Sequence, residues 1–429
     1  MLRRVLGIAA AVCLFVGVAA DAWGRDLFVW KIQVWEIEVA GRTEFSSTNS
    51  FLEVGDLFSD QALEELFGPD YSAGRTGVAA NLDLRGVAAN LTYFADGNPE
   101  GVDPSWLVFE IPSAGIRYEF DGTSRDQSES EFQDWLEGQA GQGEELSLLL
   151  KEFTEFSPVD PVAGNPNSLE SRIFDGDFDL GGMGPFLGDF PEGTEDIPNL
   201  WKVDFNFGYF AAGPYSGESY ELDLAFGWNP SRRLSVLTDL AFMFSVVEGE
   251  ALTGIGHFGL GLQARMMEWW NLSLVARGGI AASVDVGAVG AMYSVSLVSH
   301  LRYPIREYWF EMRNMVGVAN SIDGIEIEGL ELNYDLTNVV LKNGISINRE
   351  FSLGSSSRPL RASLFFTQTG YFVDELWLKY THELGLGIGL IGKDGIPAYG
   401  PLSLDASYVF GDAKRGDYDA LKLKLSLRF

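Results

Sequence analysis

The chain closes on "ALKLKLSLRF", Ala420 to Phe429, in strict alternation. Leu421, Leu423, Leu425, Leu427 and Phe429 share one parity; Lys422, Lys424, Ser426 and Arg428 share the other. Two is the side-chain period of a β-strand, because successive Cβ atoms point to opposite faces, whereas a helix would scatter these leucines around its circumference. The stretch is a strand with one apolar face. Such a strand suits a soluble β-sandwich or a wall between lipid and water.

Working back from this end, the same period recurs as far as Trp201. "WKVDFNFGY" (201–209) and "YELDLAFGW" (220–228) are followed by segments at 234–244, 258–266, 272–280, 293–303, 308–318, 339–351, 360–368, 376–390 and 402–410. With the terminal strand they number about twelve, each near the roughly 9 to 11 residues that cross a bilayer at a tilt. Backbone in lipid must be paired within the protein, so such a sheet closes on itself. Charges avoid the apolar parity, where Lys or Arg would cost roughly 2 to 4 kcal/mol near the midplane. Trp228, Trp269, Trp270, Tyr303, Tyr308 and Tyr408 mark strand ends, where amphipathic rings favour the membrane interface. "NPSRR", "MEWWN" and "YPIRE" read as compact turns, and "EGEALTGIG" and "NSIDGIEIEGLE" as longer loops. An even strand count puts both barrel ends on the short-turn, periplasmic side.

The opening "MLRRVLGIAAAVCLFVGVAADA" has the order of a secretory signal: Arg3 and Arg4, an apolar run, then Ala20-Asp21-Ala22. Residues 1–22 are assigned to it. The single cysteine, Cys13, lies inside the run and would leave with it, so the mature chain has no thiol chemistry and no disulfide. Net charge is −31, which disfavours nucleic acid and anionic headgroups. It is unevenly placed: residues 1–200 hold 11 Lys and Arg against 36 Asp and Glu, and residues 201–429 hold 19 against 25. The expected fold is all-β: a transmembrane antiparallel β-barrel of about twelve strands over 201–429, preceded by an acidic mixed α/β region over 23–200.

In that region "LFVWKIQVWEIEVAG" (27–41), the near-repeat "GVAANLDLRGVAANLTYF" (77–94) and "SWLVFEIPSAGIRYEF" (105–120) read as short strands. "SESEFQDWLEG" predicts a short helix with a capping box at Ser128 and Glu131, and "EELSLLLKEFTEF" a second with Leu146, Leu149, Leu150 and Phe153 on one stripe. Residues 157–200, rich in Pro, Gly and Asp, read as a long linker or loop.

The chain resembles bacterial outer-membrane β-barrel proteins over 201–429 and the signal segment. The resemblance makes Leu421, Leu423, Leu425, Leu427 and Phe429 an insertion signal for the barrel-assembly machinery, and implies outer-membrane localisation with lipid as a partner. The strand count is also similar to the translocator barrels of autotransporters, and "DPVAGNPNSLESR" (160–172) resembles a segment of uncharacterised secreted proteins with such barrels; neither implies an activity. His382 in "KYTHELG" resembles the catalytic histidine of outer-membrane phospholipases, but Leu384 stands where that family has its serine, and the parity of His382 points to lipid.

Little else suggests chemistry. His257 and His300 fall on the lumen parity without carboxylates at metal-ligand spacing. Asp175, Asp177 and Asp179 form a weak calcium candidate, against which Leu180 stands where a calcium loop needs glycine. No enzyme activity and no cofactor are expected. On the assigned parity the lumen receives Asp204, Glu221, Asp223 and Asp239 from the first strands and Arg265, Arg277, Arg302 and Arg313 from the next, with Glu311 among them: an acidic arc beside a basic one. These charges either set a transverse field in a water-filled channel or pair across the lumen and fill it. The function expected is a narrow pore for small solutes; the alternative is a non-conducting barrel that anchors, or is plugged by, the N-terminal region.

Overall fold

The computed structural model describes residues 26–429 except 37–38, 49–53, 55–57, 137–143, 191–196, 323–325, 328–329, 332–333, 353–358 and 392–400. The signal segment lies outside the described residues.

The N-terminal region is an antiparallel sheet in the order β2-β1-β3-β4-β5-β6: β1 Phe28–Glu36, β2 Val39–Thr48, β3 Gly77–Leu84, β4 Val87–Tyr93, β5 Leu107–Ile111 and β6 Ile116–Phe120. The near-repeat is the β3–β4 hairpin, turning through Arg85 and Gly86, both at positive φ, as a tight two-residue hairpin turn demands. Alternation sorts its faces. Trp30, Ile32, Leu82, Leu91, Phe109 and Phe120 are buried, while Lys31, Gln33, Asn81 and Arg117 are exposed.

Helices α1 (Asp60–Phe67), α2 (Arg125–Leu136) and α3 (Glu144–Phe156) contribute Leu63, Phe67, Phe132, Trp135, Leu149 and Phe153 to the same core. The stripe read on α3 is buried as expected. Helix α1 was missed, although Ser59 caps it by accepting from the Ala62 amide at 3.2 Å. The capping box at Ser128 is corrected. Helix α2 begins at Arg125, Ser124 Oγ accepts from the Gln127 amide at 3.2 Å, and Ser128 is buried inside the helix, donating to the Ser105 carbonyl at 2.7 Å.

From Leu200 the chain forms a closed antiparallel barrel of twelve strands: β7 Leu200–Ala212, β8 Tyr215–Ser231, β9 Leu234–Val247, β10 Ala251–Met267, β11 Trp270–Ser283, β12 Ala288–Ile305, β13 Tyr308–Ile322, β16 Thr337–Phe351, β17 Leu360–Val373, β18 Tyr380–Leu390, β19 Leu402–Asp412 and β20 Asp417–Arg428. Two-residue strands β14 (Glu326–Ile327) and β15 (Leu330–Glu331) pair in the β13–β16 connection. Every segment with a period of two became a strand. The seam closes β20 against β7, with Leu425 opposite Phe205, and ends on Phe429, whose amide and carbonyl exchange hydrogen bonds of 3.0 and 2.8 Å with Trp201. The apolar parity faces outward, so Leu260, Leu274, Leu386, Leu404 and Leu421 are exposed.

Two details depart from the sequence reading. "EGEALTGIG" is no long loop: only 248–250 turn before β10 resumes, so loop length does not separate the two barrel ends. Residues 376–378 are not barrel strand. The Trp377 and Leu378 amides instead donate to the Thr154 and Gly164 carbonyls at 2.8 and 3.0 Å, tying this connection to the N-terminal region.

Candidate functional site: the occupied lumen

Residues 157–190 are not a linker. A buried strap, 157–168, lies over one barrel mouth, and α4 (Leu169–Gly181) then runs inside the lumen against β10, β11 and β12. Next, 182–190 reach the opposite end, where the Gly188 amide donates to the Glu268 carbonyl in the β10–β11 turn at 3.1 Å. A 13-residue helix is about 20 Å long and 10 to 12 Å wide, so it takes up much of a twelve-stranded lumen.

The wall charges seat this segment. Buried Arg277 donates to Asp177 of α4 and to Asp239 of β9, both at 2.8 Å, and its third nitrogen lies 2.8 Å from His257 Nδ1. Ser294 and Ser296 complete the shell of Asp177 at 2.8 and 2.7 Å. Arg313 donates to the Phe178 carbonyl at 3.0 Å and lies 3.4 Å from Asp179. Arg302 spans Asp189 at 2.5 Å and Glu311 at 3.1 Å. Arg265 donates to the Pro185 carbonyl at 2.9 Å and to Asn229 Oδ1 and Ser235 Oγ at 2.6 Å.

The acidic arc is used differently. Glu221 holds Arg172 of α4 at 3.5 Å; Asp204 takes Lys202 at 2.6 Å and Lys424 at 3.0 Å; Asp223 lies 3.9 Å from Lys202. The pairing runs mostly through the helix, and only partly between the arcs.

Asp175, Asp177 and Asp179 do not converge on an ion. Successive alternate residues on a helix point about 200° apart, so Asp175 meets Lys342, Asp177 meets Arg277 and Asp179 meets Lys424 at 2.7 Å. Among the described residues no group of three or more His, Cys, Asp or Glu is arranged to hold a metal. His300 lies 3.5 Å from Glu311 inside, whereas His382 is on the outer face against Phe410 and Phe366, with ring centroids 5.3 and 6.0 Å away.

Because α4 leans on one wall, a cavity of about 330 Å³ remains beside β16–β20, lined by Lys202, Asn206, Ser363, Asp405 and Lys422. Two tyrosines stand at its end below the strap. Tyr371 and Tyr418 are buried there, Tyr371 bonded to Ser171 at 2.7 Å and Tyr418 accepting from Asn167 at 3.3 Å.

Above the strap, Arg85 in the β3–β4 turn is wholly buried, 3.6 Å from Asp160 and over the Phe153 ring. Asp160 accepts from the Val162 and Ala163 amides at 2.9 and 3.1 Å and from the Tyr334 hydroxyl at 3.1 Å. Burial pushes the Asp160 carboxyl up from its ordinary range, and the Arg85 guanidinium opposes that shift. This cluster joins the N-terminal sheet, the strap and the β13–β16 connection. Arg415 donating to the Gly86 carbonyl at 2.8 Å and Lys151 against Asp335 at 3.3 Å reinforce it.

A closed twelve-stranded wall, apolar outside and charged inside, decides the class. The fold is that of an outer-membrane β-barrel. No family model and no curated protein matches the chain. Among solved structures, the outer-membrane barrel is similar to the beta domain of the Bordetella autotransporter BrkA, at 16% identity and TM-score 0.38 over 53% of this chain and 98% of that one. It is also similar to the translocator domain of the autotransporter NalP from Neisseria meningitidis (15%, TM-score 0.35, 61% and 93% covered). A third likeness is to an outer-membrane channel from Pseudomonas putida F1 (12%, TM-score 0.35, 56% and 99%). These likenesses carry nothing about activity.

Lys202, Lys342, Lys424 and α4 itself escaped the sequence reading as site elements. Their signal lies in the barrel register, which brings cations from distant strands to successive helix carboxylates.

Proposed function

We propose that this protein displays its N-terminal domain at the outer surface of the outer membrane, on a barrel that α4 keeps from conducting. One observation carries the reading: residues up to the strap occupy the barrel end opposite the Trp201–Phe429 closure, and α4 connects the two ends through the lumen. Both barrel ends of an even-stranded barrel belong on the periplasmic side, which leaves the domain outside. The signal-like segment and the terminal apolar strand support outer-membrane delivery, with lipid and the assembly machinery as partners.

A narrow solute pore is the second reading, favoured by the cavity beside α4. The buried Tyr371 and Tyr418 at its strap end weigh against it. Planar-bilayer recording separates the two. The parent should give no steady conductance, and deletion of 169–181 should open discrete channels. Steady channels in the parent would reject the plugged barrel in favour of the pore.

A further inference from the structure

The lipid face of the barrel is interrupted by one lateral row of polar side chains. The register places Ser299 of β12 opposite Asn314 of β13, Asn314 opposite Asn343 of β16, Asn343 opposite Gln368 of β17, and Gln368 opposite His382 of β18. All five share the parity of outward-facing Val316, Leu341, Ile345, Leu364 and Leu384. Asn343 and Gln368 are exposed, Asn314 and His382 half-buried.

On the opposite wall the same parity carries Leu224, Leu240, Phe242, Leu260 and Leu274, all exposed and apolar. Thr238, the hydroxyl among them, satisfies itself by donating to the Gly259 carbonyl at 3.1 Å. In the row, Ser299 accepts from the Trp270 indole at 3.0 Å, but the side chains of Asn314, Asn343, Gln368 and His382 make no hydrogen bond among the described residues.

Acyl chains offer such groups nothing, and leaving an amide unpaired in hydrocarbon is unfavourable by several kcal/mol. Asn314 and Asn343 lie at the middle of their strands, far from headgroups that could pair with them. Ser299, Asn314, Asn343 and Gln368 carry no charge, so the net charge of −31 does not oppose contact there. Amide side chains both donate and accept, so an asparagine at the centre of the row is complementary to its own copy.

We propose that the outer face of β13, β16 and β17 is the interface on which a second copy of this chain docks, about a twofold axis along the membrane normal. The strands tilt, so the row runs oblique to the membrane plane and the rows of two facing copies cross. Asn343, at the centre of the row, meets its own counterpart. Leu341, Ile345 and Leu364 pack around the crossing. The inference rests on the barrel standing in a membrane and is independent of whether it conducts.

Membrane cross-linking tests this. With Cys13 replaced, Asn343→Cys should form a disulfide-linked dimer under mild oxidation, and Leu260→Cys on the opposite wall should not. The triple variant Asn314→Leu/Asn343→Leu/Gln368→Leu should retain heat-modifiable gel mobility, showing a folded barrel, while its dimerisation constant in bilayers falls by about tenfold, as loss of the buried Asn343 pair implies. Equal cross-linking from the two cysteine positions, adducts with a different protein, or an unchanged dimerisation constant in the triple variant would each overturn the second-copy interface.

Discussion

Phe429 serves two purposes at once. Its backbone forms the last rung between first and last strands, and its side chain, 69% exposed, lies on the lipid-facing parity. Removing it therefore deletes a closing pair of hydrogen bonds, a large exposed apolar side chain and the last residue of the stretch expected to act as an assembly signal. Lys422, seven residues earlier on the lumen parity, makes no ion pair among the described residues and is the appropriate control. Deleting Phe429 should lower the heat-modifiable, folded fraction in membranes well below that of Lys422→Gln. Matching yields for both variants would remove Phe429 from any special role. Lys424 would be a poor control, because it bridges Asp179 of α4 and buried Asp204.

At the scale of elements, α4 would be a poor helix in water. Gly176 in its interior weakens it, and its carboxylates sit on several sides instead of one polar face. Tertiary packing reverses that preference. A Cβ on Gly176 would lie 2.6 Å from the Arg277 guanidinium carbon, so the glycine lets the arginine reach Asp177. Arg277→Ala strands two carboxylates, Asp177 wholly buried and Asp239 nearly so. It should destabilise the barrel toward urea by roughly 3 to 5 kcal/mol, the usual consequence of breaking a buried ion pair from one side. Adding Asp177→Ser should recover part of that loss. An additive loss in the double variant would show that the pair does not couple helix to wall.

For the whole molecule, the position of the N-terminal domain at the barrel mouth is the consequence with most biological reach. An epitope inserted in the exposed β5–β6 turn, Pro112–Gly115, should bind antibody on intact cells. Binding only after permeabilisation would place the domain in the periplasm and reverse the assigned orientation. The Arg85–Asp160–Tyr334 cluster holds the docked arrangement with three separate stretches of chain, so its register with the mouth is specific rather than a loose tether.

Much of this architecture was legible in the residues themselves. Period-two runs such as 201–209 and 421–429 are local, every barrel strand has one lipid-facing and one lumen-facing side, and lipid punishes a misplaced charge; the pattern therefore marked twelve strands and their inward charges without any knowledge of contacts. The terminal rung between Phe429 and Trp201, the helix through the lumen and the polar row on the outer wall were not legible. Each depends on register between residues distant in sequence: Asp177 with Arg277, or Asn343 with Asn314 and Gln368. Composition read 157–200 as loop because glycine, proline and aspartate favour loops in water. Only the closed wall, which surrounds those residues with fixed cations, makes a helix of 169–181.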